Sequence, residues 1–296
     1  MAFEHVPSDD DVASIRIDGL EQDLMILHVT DSHMAEGDDR DPEAAESVVR
    51  FQKLFQGRTP GGVPAWDLFQ RSLSMAASRG ADAVALTGDI IHFPSHAALE
   101  IVQSGVDDLG VPTVYTLGNH DWHFPHLEWS HQTRQEHYPR FHRLTDGNPA
   151  YGSIEVGGVR LVTLDNSTYQ VSAEQVEFLR DELDSGQTCL LFIHIPLWVE
   201  SLAAEVMAKW QAPIMMASPT GWTAETRQQW RVGEISKSTQ ACHDLLLSAA
   251  ASNLAGIFCG HVHFAHDAEV RAGCHQYVTA PGFEGGYRWI ELLSTD

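Results

Sequence analysis

Five short apolar runs in this chain each lead into residues that bind cations, and no other feature of the sequence constrains the fold as strongly. Leu24 to Thr30 leads to Asp31 and His33, Ala83 to Thr87 to Gly88 and Asp89, and Pro112 to Leu117 to Gly118, Asn119, His120 and Asp121. Thr188 to Ile193 leads to His194, and Gly256 to Cys259 leads to Gly260, His261 and His263. Runs of this length bounded by turn residues read as buried strands. Helical spacing separates them, from Glu43 through Gln56 and from Trp66 to Arg79, with Gly80 placed to stop the second helix. Pro94 and Ser95 open another helix toward Leu109, and Ser172 with Gln175 forms a capping box for a helix through Leu183. Alternating strands and helices predict a layered α/β fold. Ligands gather outside the carboxyl ends of the strands in such sheets, so residues distant in sequence are expected to converge there.

The donors are carboxylates, imidazoles and one amide oxygen. That set suits Mn, Fe, Co, Ni or Zn rather than Ca or Mg alone, and it is large enough for two ions. A central carboxylate can give one oxygen to each ion and hold them about 3.5–4 Å apart; Asp89 is the candidate bridge. The four cysteines, Cys189, Cys242, Cys259 and Cys274, show no paired spacing, and Cys189 and Cys259 fall in apolar runs. They are expected to be reduced core residues rather than thiolate ligands.

The run Asp31-Ser32-His33, Gly88-Asp89, Gly118-Asn119-His120-Asp121, His194 and Gly260-His261-Val262-His263 resembles the full motif set of the calcineurin-like metallophosphoesterases, in order, over residues 31 to 263. The resemblance implies a layered α-β-β-α sandwich, with two mixed sheets flanked by helices. It implies one metal held by Asp31, His33, Asp89 and His263, and a second by Asp89, Asn119, His194 and His261. Two divalent or mixed-valence transition-metal ions, Mn, Fe or Zn, are the expected cofactors. Two cations lower the pKa of a bridging water, so that hydroxide attacks phosphorus in line while the metals bind the phosphate oxygens. By the same resemblance His120 faces the substrate, where it stabilises developing charge or protonates the leaving oxygen. Asp121 is expected to accept a hydrogen bond from His120 and orient its ring.

Purple acid phosphatases, a branch of the family, carry a metal-binding tyrosine three residues after the bridging Asp, where this chain has His92. That departure argues against a tyrosinate-bound ferric centre. His92 reads as a partly exposed histidine at a helix start, with support of a metal ligand or contact with substrate as the alternative, and His123 is expected near the substrate. Arg288, after a glycine-rich turn, is expected to form an ion pair with an acidic neighbour, with contact to a phosphate as the alternative. Gly88, Gly118 and Gly260 are expected to allow tight turns into the site.

The 296 residues are expected to form one domain over residues 1–296, with insertions at about 122–149 and 197–234 that interrupt the strand-helix rhythm. The second insertion carries Trp198, Trp210, Trp222 and Trp230, and both are expected to form a cap or substrate wall. A hairpin is expected from Tyr151 to Leu164, turning at Gly157-Gly158. A net charge of -23 disfavours a nucleic-acid partner and with it a nuclease. No stretch is apolar enough for a bilayer, and Met1 to Asp11 lacks the pattern of a secretory signal, which predicts a cytoplasmic location. The expected activity is hydrolysis of a small phosphodiester of the cyclic nucleotide or glycerophosphodiester type. A phosphomonoesterase acting on a small metabolite is the alternative, and a non-catalytic metal-binding scaffold the third reading.

Overall fold

The structure, a computed structural model, describes residues 3–295; Met1, Ala2 and Asp296, which belong to the stretch read as one domain, lie outside the described residues. In its first half come strands β1 (Phe3–Val6), β2 (Val12–Ile17) and β3 (Leu24–Val29), helices α1 (Ala45–Gln56) and α2 (Ala65–Arg79), strand β4 (Ala83–Thr87), helix α3 (His96–Leu109), strand β5 (Thr113–Thr116) and helix α4 (His131–His137). There follow β6 (Tyr151–Val156), β7 (Val159–Leu164), α5 (Ala173–Asp184), β8 (Thr188–Phe192), α6 (Glu200–Trp210), α7 (Ala224–Trp230) and α8 (Lys237–Leu247). The chain closes with β9 (Leu254–Cys259), β10 (His266–Arg271), β11 (Cys274–Val278) and β12 (Arg288–Ser294).

Two six-stranded sheets run β1-β2-β12-β3-β4-β5 and β10-β11-β9-β8-β7-β6. Both are mixed. In the first, β3, β4 and β5 are consecutive parallel neighbours; in the second, β7, β8, β9 and β11 are. The strands that deliver the polar residues therefore lie side by side, with their carboxyl ends at the same rim.

Alternation along each strand divides the apolar residues between two layers. Ile26, Ala83, Ala85, Leu190, Phe192 and Phe258 fill the space between the sheets. Their neighbours Leu27, Val29, Val84 and Leu86 pack beneath Phe69, Leu73 and Val102 of α2 and α3. Leu191, Ile193, Ile257 and Cys259 likewise meet Leu179 of α5 and Cys242 and Leu246 of α8. Burial on both faces explains why these strands read as unbroken apolar runs. Each fully buried aliphatic contributes about 1.5–3 kcal/mol over its exposed state.

Local signals placed the punctuation. Gly80 ends α2 in the left-handed conformation, and Ser95 caps α3 by accepting from Ala98 N at 3.2 Å. The Ser172–Gln175 capping box is present, and Gly157 and Gly158 (φ 54° and 81°) turn the β6–β7 hairpin. All four cysteines are buried and free. Arg288 departs from expectation. It is buried and donates to the Val12 and Val278 carbonyls at 3.0 and 3.1 Å and to Thr279 Oγ1 at 3.2 Å, with no ion pair among the described residues. Neutral carbonyls reach the guanidinium there because β12 threads between β2 and β3, which brings the Val12 carbonyl beside it. Among the described residues, no helix is long and apolar enough to cross a membrane.

Both sequence stretches outside the strand-helix rhythm hold structure of their own. The first contains α4 and a 3-10 turn at Tyr138–Phe141 around the buried Trp122, whose Nε1 donates to Ser167 Oγ at 3.0 Å. The second contains α6 and α7, and its four tryptophans are partly buried against the core that covers the second sheet.

Candidate metal centre

Asp31, His33, Asp89, His261 and His263 all adopt positive φ, between 49° and 70°. This left-handed backbone is uncommon for residues other than glycine, and clusters of it mark sites where the surrounding structure holds a functional geometry against strain. What holds it is a set of loop hydrogen bonds. Asp31 N donates to Gly88 O at 3.0 Å, His33 N to Asp89 O at 2.8 Å, Met34 N to Ile90 O at 3.0 Å, and Gly260 N to His194 O at 3.0 Å.

Gly88 has positive φ (74°), as expected of a turn residue, but Gly118 and Gly260 do not. Their requirement is space. A Cβ on Gly118 would overlap Asp89 Oδ1, and one on Gly260 would overlap Thr30 Oγ1 and Asp31 Oδ2.

The side chains meet where the sheets converge. His194 Nε2 lies 3.2 Å from Asp89 Oδ2 and 4.0 Å from Asp31 Oδ1, while His263 Nε2 lies 3.2 Å from Asp31 Oδ1. His33 Nε2 stands between the carboxylates, 3.8 Å from Asp31 Oδ1 and 3.7 Å from Asp89 Oδ2. Donor atoms within 4.8 Å of one another gather in three groups, two of which share His33: Asp31, His33 and His263; Asp89, His194 and His261; and His33, His92 and His120.

The remaining contacts aim the donors inward. His194 Nδ1 lies 3.1 Å from the Thr87 carbonyl, which can only accept, so Nδ1 carries a proton and Nε2 faces the carboxylates. Asp31 Oδ2 accepts from Thr30 Oγ1 and His261 N, both at 2.9 Å, and leaves Oδ1 directed at the cluster. Asn119 Oδ1 is buried without a hydrogen bond, Asp31 Oδ1 and His194 Nε2 have only ion-pair contacts, the nearest at 3.2 Å, and His33 Nε2 and His263 Nε2 face each other at 3.3 Å. Buried polar atoms are nearly always partnered, and unpartnered ones call for a missing ion or water. These nitrogen and oxygen donors fit two cations.

Charge separates the histidines. Burial works against a proton on His194, but Asp89 and Asp31 outweigh it and raise its pKa to about 9. Burial holds His33 and His92 well below the ordinary histidine value, and lowers His261 to about 3.

Two expectations about neighbouring residues are corrected. Asp121 does not touch the His120 ring. Its Oδ2 accepts from Asp89 N at 2.8 Å and Gly118 N at 2.5 Å, and its Oδ1 from Ile91 N at 3.1 Å and Tyr115 OH at 2.9 Å, so its acceptor capacity is spent on the loops. His92 is buried, not partly exposed. Its backbone N donates to Met34 O at 2.7 Å, which turns the ring inward, with Nδ1 3.0 Å from His33 Nδ1 and the ring stacked on His120 at 4.3 Å.

Tyr169 was not anticipated. It is buried, and its OH lies 2.8 Å from His261 Nε2. The rule that found the other residues, polar groups just beyond a strand, also applied after β7. A cavity of about 310 Å³ opens beside Asn119, His120 and Tyr169 and continues past His123 to Trp129 and Arg231.

The calcineurin-like phosphoesterase family profile matches residues 24–265. The chain belongs to the calcineurin-like phosphoesterase family. That membership and the clustered His and Asp side chains together point to a site for two metal ions. A cAMP/cGMP dual specificity phosphodiesterase of Mycobacterium tuberculosis is 23% identical over 261 residues, which cover 83% of this chain. The chain spans 64% of that relative's length. A dimetal phosphatase from Danio rerio shares the fold with TM-score 0.54 at 13% identity, covering 88% of each chain. A purple acid phosphatase from yellow lupin (Lupinus luteus) seeds aligns with TM-score 0.51 at 13% identity, over 93% of this chain and 47% of that one. The two mixed six-stranded sheets flanked by helices are the sandwich of this family.

Proposed function

We propose that this phosphoesterase hydrolyses a small phosphodiester of the cyclic nucleotide or glycerophosphodiester type. The observation that carries the reading is the convergence, from both sheets, of donors buried without hydrogen bonds beside a cavity large enough for a small ester and too small for a macromolecule. Asp31, His33, Asp89 and His263 would hold one ion and Asp89, Asn119, His194 and His261 the other, Mn, Fe or Zn by donor chemistry. When bound, two such ions supply a nucleophile at neutral pH and neutralise charge on the phosphate.

The chain's own residues do the rest. His120 lines the cavity, and its backbone N donates to Asp89 Oδ1 at 2.7 Å, which fixes the ring over the cluster. Burial lowers the His120 pKa, so the ring is neutral at pH 7. A neutral imidazole acts by donating its N–H to a phosphoryl or leaving oxygen, rather than as a stored proton. The stacked His92 and the Asp89 contact orient it in place of Asp121. Tyr169, whose phenol burial keeps protonated, fixes the His261 ring.

The cavity lining contains no carboxylate and includes Arg231, in a chain whose net charge is -23. An anionic ester is therefore admitted despite the acidic surface. The same lining would accept the extra charge of a monoester, so phosphomonoesterase activity is the second reading. The diester is favoured because the mycobacterial relative is named as a phosphodiesterase. The test is turnover of bis(p-nitrophenyl) phosphate against p-nitrophenyl phosphate by metal-stripped protein reloaded with Mn, Zn or Fe. Metal-dependent preference for the diester supports the proposal. Preference for the monoester replaces it with a phosphatase, and no turnover of either returns the scaffold reading.

A further inference from the structure

One wall of the active cavity is built from both insertions. Trp129 comes from the stretch before α4, and Trp230 and Arg231 from the end of α7. The Arg231 guanidinium lies over the Trp129 ring, 4.9 Å from its centroid, a cation–π contact that ties one insertion to the other. Arg231 carries the one permanent charge in the lining and has no ion pair among the described residues, in a chain with 41 acidic side chains. It sits in the left-handed region (φ 57°) as the residue that ends α7, which turns its side chain toward the cavity mouth. An unpaired guanidinium stacked on one indole and next to another offers a planar, electron-accepting surface edged with five N–H donors.

We infer that Trp129 and Arg231 form the specificity wall of this site, and that they hold a nucleobase on the ester rather than an aliphatic group such as glycerol. The inference rests on the proposed esterase reading and deepens it. A base stacks on aromatic faces through its π surface, and its ring acceptors suit an arginine edge. An aliphatic alcohol would leave both features unused. At about 310 Å³ the cavity lies at the lower end of ligand-sized sites, which fits one nucleoside and its phosphate but no second nucleoside.

The experiment separates recognition from turnover. Binding of adenosine 5′-thiomonophosphate, which resists hydrolysis, is compared by calorimetry with binding of inorganic thiophosphate, on metal-loaded wild type, Arg231→Ala, Arg231→Lys and Trp129→Phe. Arg231 is exposed, so its variants test the wall without disturbing the core. The nucleotide should bind wild type at least about tenfold tighter than thiophosphate, the range of one stacked base. That advantage should collapse in Arg231→Ala and shrink in the other two, with thiophosphate affinity unchanged. In turnover, KM for 2′,3′-cyclic AMP should rise about tenfold with kcat retained, and glycerophosphoethanolamine should be unaffected. No nucleotide advantage in wild type, or an equal loss for both ligands, overturns the inference, and diester turnover would still stand. A nucleotide advantage that depends on Arg231 without any diester turnover keeps the wall and removes the diesterase reading.

Discussion

His194 Nε2 lies 3.2 Å from Asp89 Oδ2, and its Nδ1 lies 3.1 Å from the Thr87 carbonyl. In the metal-free protein that ring is a buried imidazolium paired with a carboxylate, with a pKa raised to about 9. A metal ligand must be the neutral ring, so binding releases its proton. Calorimetry of metal loading at pH 7, in buffers of different ionisation enthalpy, should show release of at least about one proton per chain, falling as the pH approaches 9. The sign for stability follows from the same shift. A folded pKa above the unfolded value of about 6.5 stabilises the metal-free protein fully below pH 6.5, and that contribution is lost as pH rises through 9. The Tm of the metal-free protein should therefore fall across that window, and a rise would contradict the assignment.

Gly118→Ala and Gly260→Ala address the crowding behind the carboxylates. Each added methyl would overlap Asp89 or Asp31, and the loops cannot yield without moving a ligand. Overpacking of this kind costs about 1–3 kcal/mol. Denaturant unfolding should report that loss, and metal titration should report weaker binding in both variants. Gly186, with open space around its Cβ position, is the control for crowding, though its positive φ adds backbone strain.

Asn119→Ala should separate stability from function. Asn119 Oδ1 is buried and unpartnered, so the metal-free protein gains nothing from it. Removing a buried acceptor without a partner relieves up to about 1–3 kcal/mol of desolvation cost. The variant should be at least as stable as wild type without metal, yet bind metal more weakly and turn over diester at a small fraction of the wild-type rate.

Asp121→Asn tests the corrected role of that residue. Its two oxygens accept from three backbone N–H groups and the Tyr115 hydroxyl, and an amide NH2 cannot accept. The loss should be about 3 kcal/mol or more of folding stability, with both metal loops loosened. Tyr115→Phe removes one of the four bonds and should cost about 1 kcal/mol. If Asp121→Asn left stability intact and lowered only the turnover rate, a role through His120 would be restored.

The site was legible in the sequence because each ligand follows a strand buried on both faces, so apolar runs point directly at it. Two of the four edge strands were not legible. Phe3–Val6 and His266–Arg271 each pair on one side only and keep polar residues, so neither forms an apolar run. Val12–Ile17 did carry a signal, since Ala13, Ile15 and Ile17 alternate with more polar neighbours. α7 was marked by Thr223, which caps it through Thr226. His92 was misread because the proline and serine that follow it announce a helix start, while the contact that buries it is a backbone bond to Met34, 58 residues earlier in the chain. Asp121 was misread for a related reason. Adjacency in sequence to His120 says nothing about side-chain direction, and the N–H groups that claim its carboxylate come from two loops.

The claim that the two sheets together hold two ions is tested most directly by counting metal. Wild-type protein stripped and reloaded with Mn, then measured by mass spectrometry after desalting, should carry about two ions per chain, as expected for a two-metal hydrolase. His263→Ala and His261→Ala should each retain about one, because they remove a donor from different groups. A single ion in wild type, or a count unchanged in both variants, would contradict the account.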